Sequence, residues 1–252
     1  MGKSRGPGQT PGTPPNGHRN GQNGQSPGST NPGGRLPSGG ALAGAGGGSS
    51  VEKFYAELDR CWSLLERGDL EGAQSLALKL LRTDGDAPEL YVLLGMIDGM
   101  QGDPEKALTY YERAMDIDPE YVEPIICAAE LQIWELEDYE KALGLCERAL
   151  DLAEEEDEYV DALLLKAEAL ANLDREQAAY ATLQELPEIA LGEPSYHLRA
   201  ARLLLDLGYT PDAREHFKRA LLLDADNSVG IHGIGMCACE VGDQPTMVDC
   251  IQ

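Results

Sequence analysis

The chain is 252 residues long and carries 44 Asp and Glu against 20 Lys and Arg, a formal net charge of −24. A surface this acidic repels phosphate backbones and anionic membranes, which proteins hold chiefly through Lys and Arg, so nucleic acid and lipid headgroups are excluded as partner classes. No stretch approaches the roughly 20 apolar residues of a membrane span, and no continuous apolar run marks a secretory signal. The expectation is a cytoplasmic protein whose six cysteines, scattered through helical patterns, stay reduced.

Composition divides the chain near residue 50. Residues 1–50 hold 16 of the 29 glycines and 7 of the 15 prolines, with no Asp or Glu and almost no large apolar side chain. Such a segment cannot bury enough surface to offset its ordering entropy, and it reads as a disordered tail. Its four cations, Lys3, Arg5, Arg19 and Arg35, are too dispersed for a polybasic patch. The remainder therefore carries a net −28, from 16 Lys and Arg against 44 Asp and Glu.

From residue 51 onward a period of 34 residues organises the sequence. The first copy, 54–87, has small residues at Cys61 and Ala73 and the turn Gly68-Asp69 between them. In the second, 88–121, Tyr91, Leu94, Gly95, Ala107, Tyr111, Ala114 and Pro119 follow the spacing W-x2-L-G…A-x3-F-x2-A…P. This copy resembles the tetratricopeptide repeat at seven of its eight signature positions, the departure being Asp98 in place of an aromatic. Gly95 and Ala107 keep the two helices of a repeat, A and B, close at their crossing. Gly102 ends helix A, Asp103 is placed as N-cap, and Pro104 opens helix B.

The third copy, 122–159, keeps Ala128, Ala129, Ala142 and Ala149, has one extra residue in its turn, and leaves through the acidic run 154–158, read as a solvated loop. The fourth, 160–193, is the weakest, with Ala167, then Ala178 or Ala179, and no glycine in the turn at Asp174. The fifth, 194–227, restores the pattern through Ala201, Gly208, Ala213, Phe217 and Ala220. A sixth begins at 228 with Ile234-Gly235 and Gly242-Asp243, and stops inside helix B. The fold expected is all-α: five repeats and a partial sixth over 51–252, which the family resemblance implies wind into a right-handed superhelical solenoid of antiparallel helix pairs.

No catalytic constellation stands out, and neither an activity nor a cofactor is expected. His197, His216 and His232 are isolated on helical segments, and no phosphate loop, zinc-protease or nucleophile-elbow motif occurs. His232, Cys237, Cys239 and Cys250 contain the ligand types of a zinc or redox site. Helical spacing turns Cys237 and Cys239 about 200° apart, against their sharing one metal.

The family resemblance implies a concave face lined by the A helices. At the facing positions stand Leu58 and Trp62, then Val92, Met96 and Met100, then Ile126, Glu130 and Trp134, and in the fifth copy Leu198 and Arg202. Some members hold a partner's C-terminal carboxylate with Lys and Asn at such positions. Here Val92, Met96 and Cys127 supply no cation for it. A partly apolar channel with an acidic rim suits a basic peptide or helix of a partner protein. The function implied is an interaction scaffold, in its sharper form an acidic chaperone of a very basic client such as a ribosomal protein or histone. The rival is a non-catalytic targeting segment of a larger enzyme whose catalytic domain lies downstream. The last segment, with Ile231, Ile234, Met236, Val241, Met247, Val248 and Ile251, has few charges to cap a solenoid and is read as a face for a further segment, the partner or a second copy of the chain.

Removing residues 1–50 should leave the melting temperature and the helix content per folded residue nearly unchanged, because that segment has no apolar face to bury. A drop of many degrees in a thermal melt would show instead that the tail docks on the repeats.

Overall fold

The computed structural model describes residues 48–84, 86–186 and 192–243. The expected disorder of residues 1–47 and the helix B expected after Asp243 lie outside the described residues. Within them are eleven α-helices and no strand. They pair as α1 (Gly48–Glu66) with α2 (Leu70–Asp84), α3 (Pro88–Met100) with α4 (Pro104–Ile117), α5 (Glu123–Trp134) with α6 (Tyr139–Leu152), α7 (Glu156–Asn172) with α8 (Glu176–Gln184) and α9 (Pro194–Asp206) with α10 (Thr210–Leu223). Last comes α11 (Ser228–Val241), helix A of the sixth copy. Helix α1 starts three residues ahead of the boundary that composition marks at 51.

Small residues at the two crossing positions explain the pairing. Cys61, Gly95, Ala129, Ala167 and Ala201 on the A helices are buried, and so are Ala73, Ala107, Ala142, Ala179 and Ala213 on the B helices. A Cβ added to Gly95 would lie 2.4 Å from Cε1 of Tyr111, while one on Gly99 would lie 3.8 Å from Cβ of Ala107. The helices therefore touch over two successive turns with no room for a larger side chain. Burial also decides between Ala178 and Ala179, since the first is exposed and the second sits in the crossing.

Each copy then stacks on the next through a continuous core. Leu58, Cys61 and Leu65 of α1 and Ala77 and Leu80 of α2 pack with Leu90, Leu93, Leu94 and Ile97 of α3. At the far end Phe217 of α10 meets α11 where a Cβ on Gly233 would approach its ring to 2.3 Å. Polar links cross the same seams. Arg113 reaches Asp86 at 3.1 Å, Arg148 donates to the Pro119 carbonyl at 2.8 Å, and Arg175 meets Glu140 at 2.7 Å.

The turns depart from expectation in three places. Where copies 1, 2, 5 and 6 use Gly68, Gly102, Gly208 and Gly242 at φ of +73° to +83°, copies 3 and 4 use Glu137 at +52° and Asp174 at +58°. A left-handed backbone is reached there without glycine, at a cost of roughly 1 kcal/mol per residue. Asp103 stands at the N-cap of α4 but makes no side-chain capping bond; its carboxylate pairs with Lys106. Asp69 and Asp138 do cap, accepting from the backbone N–H of Gly72 and Lys141. Finally, only part of the acidic run 154–158 is loop. Glu156, Asp157 and Glu158 form the first turn of α7, where the positive end of the helix dipole favours them.

Gly95→Leu or Ala107→Leu should destabilise the protein by roughly 1–3 kcal/mol or more, through overpacking at the crossing. Glu105→Gln, on the exposed side of α4, should change stability by less than about 0.5 kcal/mol. Urea unfolding of the three variants compares them directly, and equal losses would contradict the assigned register.

Candidate functional site

The A helices run side by side, α1 against α3, α3 against α5, α5 against α7, α7 against α9 and α9 against α11. Their shared face has two chemically distinct halves. The first is apolar. Trp62 and Met96 are half-buried in the seam between copies 1 and 2, and Met100 stands 54% exposed at the end of α3. Val92 and Leu58, read from spacing as facing a partner, are fully or almost fully buried instead. They pack between copies and support the face from beneath, because α3 sinks nearly its whole circumference into its neighbours.

The second half, on α5, α7 and α9, is a carboxylate cluster. Trp134, 36% exposed, donates its Nε1–H to Glu168 Oε1 at 3.0 Å, tying α5 to α7. Asp161 accepts from Arg199 Nη1 at 2.6 Å, tying α7 to α9. Glu130 stands half-buried within the field of Asp161, Glu168 and Arg199. Desolvation raises its pKa to about 7, against the lowering effect of the Arg199 charge and with Asp161 and Glu168 adding upward pressure. Burial likewise raises Asp161 and Glu123, the latter holding a hydrogen bond from the Tyr121 hydroxyl. Arg202, one helical turn beyond Arg199, is exposed.

The family resemblance put Glu130 and Trp134 among the facing positions and passed over Asp161, Glu168, Glu123 and Arg199. A signal was present. Asp161 and Glu168 occupy the second and ninth positions of copy 4, as Glu123 and Glu130 do in copy 3. Weak turn chemistry in copy 4 hides that register.

Two histidines that look isolated in sequence meet in space. His197 of α9 and His216 of α10 place their Nδ1 atoms 3.1 Å apart, so one ring donates to the other. Tyr91 and Tyr110 hold the same two repeat positions in copy 2, with ring centroids 6.2 Å apart. Cys237 is buried in the last core cluster and Cys239 is exposed, the opposite placement that their spacing requires. Cys250 lies outside the described residues. Among the described residues, no helix is long and apolar enough to cross a membrane.

Residues 88–121 match the family model of the tetratricopeptide repeat. That model covers one repeat, and the same helix pair recurs through the described residues. The fold is that of a tetratricopeptide-repeat solenoid. No curated protein shows significant similarity to it in sequence. Among solved structures it is similar to PilW, a type IV pilus biogenesis factor, with a TM-score of 0.69 at 16% identity, over 79% of this chain and 90% of that one. PilF of Pseudomonas aeruginosa gives a TM-score of 0.66 at 17% identity, over 79% and 89%. A thermophilic tetratricopeptide protein of Thermus thermophilus gives 0.62 at 17% identity, over 74% and 99%. At such identities the likeness is one of fold.

In this repeat fold the raised pKa of Glu130 has a measurable sign. The folded state binds that proton more tightly than the unfolded chain, so stability is lost as pH rises through about 7 and is recovered as pH falls toward 4.5. Glu130→Gln should raise stability at pH 8 by on the order of 1–3 kcal/mol, a few degrees of Tm, and by much less at pH 5. Thermal melts at the two pH values check this, and an equal gain at both would remove Glu130 from the titrating cluster.

Proposed function

We propose that the protein is a non-catalytic interaction scaffold whose concave A-helix groove takes a basic segment of a partner protein. In its sharper form it is an acidic chaperone that masks the charge of a very basic client, such as a ribosomal protein or histone, in the cytoplasm. The observation that carries this reading is Glu130, desolvated beside the carboxylates of Asp161 and Glu168, with one guanidinium, Arg199, paired to Asp161. A buried carboxylate whose proton affinity is raised by burial and by neighbouring like charges gains when a cation enters. An incoming Lys or Arg would relieve that repulsion, and the adjoining Trp134, Met96 and Met100 offer apolar surface to the stem of such a side chain or to its neighbours.

Partner charge also favours selectivity. A body carrying −28 outside its tail speeds encounter with a cationic segment and disfavours acidic ones. At the far end Leu222, Leu223, Val229, Met236 and Val241 are exposed. A second copy of the chain could cover that apolar edge without occupying the groove.

Binding to a set of purified basic proteins, ribosomal proteins and histones among them, tests the reading by titration calorimetry. Affinity for a true client should fall steeply as salt is raised from about 50 to about 500 mM. Met96→Ser with Trp134→Ser should weaken it roughly tenfold or more while the circular dichroism spectrum stays unchanged. Binding that survives the double substitution and depends on the B-helix surface would overturn the groove assignment.

A further inference from the structure

Position 26 of a copy, on helix B, is Lys79, Arg113, Arg148 and Arg219 in copies 1, 2, 3 and 5, allowing for the extra residue of the third turn. In copies 2 and 3 this cation reaches back across the seam to the exit of the preceding helix B. Arg113 pairs with Asp86, just beyond α2, and Arg148 donates to the carbonyl of Pro119, just beyond α4. Lys79 holds the same position, but no copy precedes it among the described residues. Its ammonium has neither a hydrogen bond nor an ion pair there.

Helix A of copy 1 is open on the same side. Positions 7 and 11 are buried in copies 2, 3 and 5, as Leu94 and Asp98, Ala128 and Gln132, and Ala200 and Leu204. The preceding helix B covers them, as Gln74 shows by donating to Asp98 Oδ1 at 3.2 Å. In copy 1 these positions are Arg60, exposed, and Leu64, half-buried. They line a cleft of about 770 Å³ between α1 and α2 that also takes in Leu76, Lys79 and Arg82. Asp69 is the one acid of that lining, and its carboxylate already caps the N–H of Gly72. Arg60 stands 3.7 Å from Glu57, an exposed pairing of little strength. At about 0.1 M salt, charges more than roughly 10 Å away are largely screened, so these three cations govern what enters and not the −28 of the whole body.

We propose that the open end of copy 1 is a docking seat for an acidic helix of a partner protein, laid where a preceding helix B lies on the later copies, with its C-terminal end over Lys79 and Arg82. A helix fits because that is what fills the equivalent seat on α3, α5, α7, α9 and α11. Polarity follows from position 26, whose cation meets the exit of the preceding helix wherever one is present. The last turn of a helix leaves carbonyls without partners and carries the negative end of its dipole, and carboxylates there are relieved by a cation. Leu64 and Leu76 give an apolar stripe of that helix something to cover. Residues 1–47 fit the seat poorly in charge, since they hold Lys3, Arg5, Arg19 and Arg35 and no acid. The seat is opposite in charge to the A-helix groove, and either can fail without the other.

Fluorescence anisotropy of the full chain tests this with a labelled, hydrocarbon-stapled helix that has a leucine stripe and glutamates in its last turn. Two controls accompany it: the same helix with the glutamates in its first turn, and an unstapled scramble with proline inserted. The first peptide should bind roughly fivefold or more tightly than either control and shift the methyl NMR signals of Leu64 and Leu76. Lys79→Glu with Arg82→Glu should weaken it roughly tenfold or more without lowering the melting temperature, because both side chains are exposed. Met96→Ser with Trp134→Ser, in the other groove, should leave it unchanged. Equal affinity for the three peptides, or binding that shifts neither leucine, overturns the proposal. So does concentration-dependent self-association in sedimentation that Lys79→Glu with Arg82→Glu abolishes, since the occupant is then a second copy. A roughly tenfold gain in affinity on removing residues 1–47 assigns the seat to that segment and overturns it equally.

Discussion

Everything in the molecule rests on how closely helix A and helix B approach in each copy. The Tyr111 ring occupies the volume into which a Cβ at position 95 would project, so the crossing is set by contact between a ring and a backbone. Contacts of that kind leave little freedom of angle or distance, since neither side can yield without opening a void or a clash. Once the crossing is fixed, the outward vector of every A-helix position is fixed with it, and 34 residues later the same vector recurs. Glu168 repeats the position of Glu130 in the next copy, and Trp134, one helical turn beyond Glu130, comes within hydrogen-bond distance of it. The groove is a consequence of the crossing, repeated.

Periodicity explains why so much of this was legible in the sequence. Small residues and turn glycines each have one mechanical reason, and their recurrence gave the helix pairs and the extra residue of the third turn, which the structure shows as a four-residue connection between Trp134 and Tyr139. What escaped was decided by neighbours outside the local segment. Asp103 looks like a cap, yet its carboxylate is found on Lys106 and not on the backbone of α4. Asp174 and Glu137 take the left-handed backbone that the other copies give to glycine. Val92 reads as a surface position from register, and is buried because α3 is covered on nearly all sides.

The site was legible by halves. Trp134 and Glu130 announce themselves, one as a large aromatic and the other as an acid at a facing position. Asp161 and Glu168 are indistinguishable by type from the many solvated acids around them. Only the register of copy 4 separates them, and that register is carried by Ala167 and Ala179 without the help of a turn glycine. His197 and His216 are hidden in the same way, since a contact between positions 4 and 23 is visible only after another copy shows that those positions meet.

Acidic residues therefore do two different things on this protein. Those paired on the exposed helices, such as Asp103 with Lys106 or Glu215 with Lys218, are more than 40% exposed on both partners and contribute little to stability. Glu130, Asp161 and Glu123 on the A-helix face are desolvated, and they oppose folding at any pH where they are ionised. The histidine pair acts with the other sign. Desolvation and the neighbouring His197 hold His216 down to about 4, with Arg219 adding to them and Asp212 and Glu215 opposing, so its contribution is lost as pH falls from about 6.5 toward 4. Glu130 gains stability over nearly the same window, from about 7 toward 4.5. Between pH 4.5 and 6.5 the two run against each other, whereas above 7 both contributions are level and the full penalty of the ionised groove remains. Near neutral pH the face that is left least satisfied is the one that a basic partner would meet.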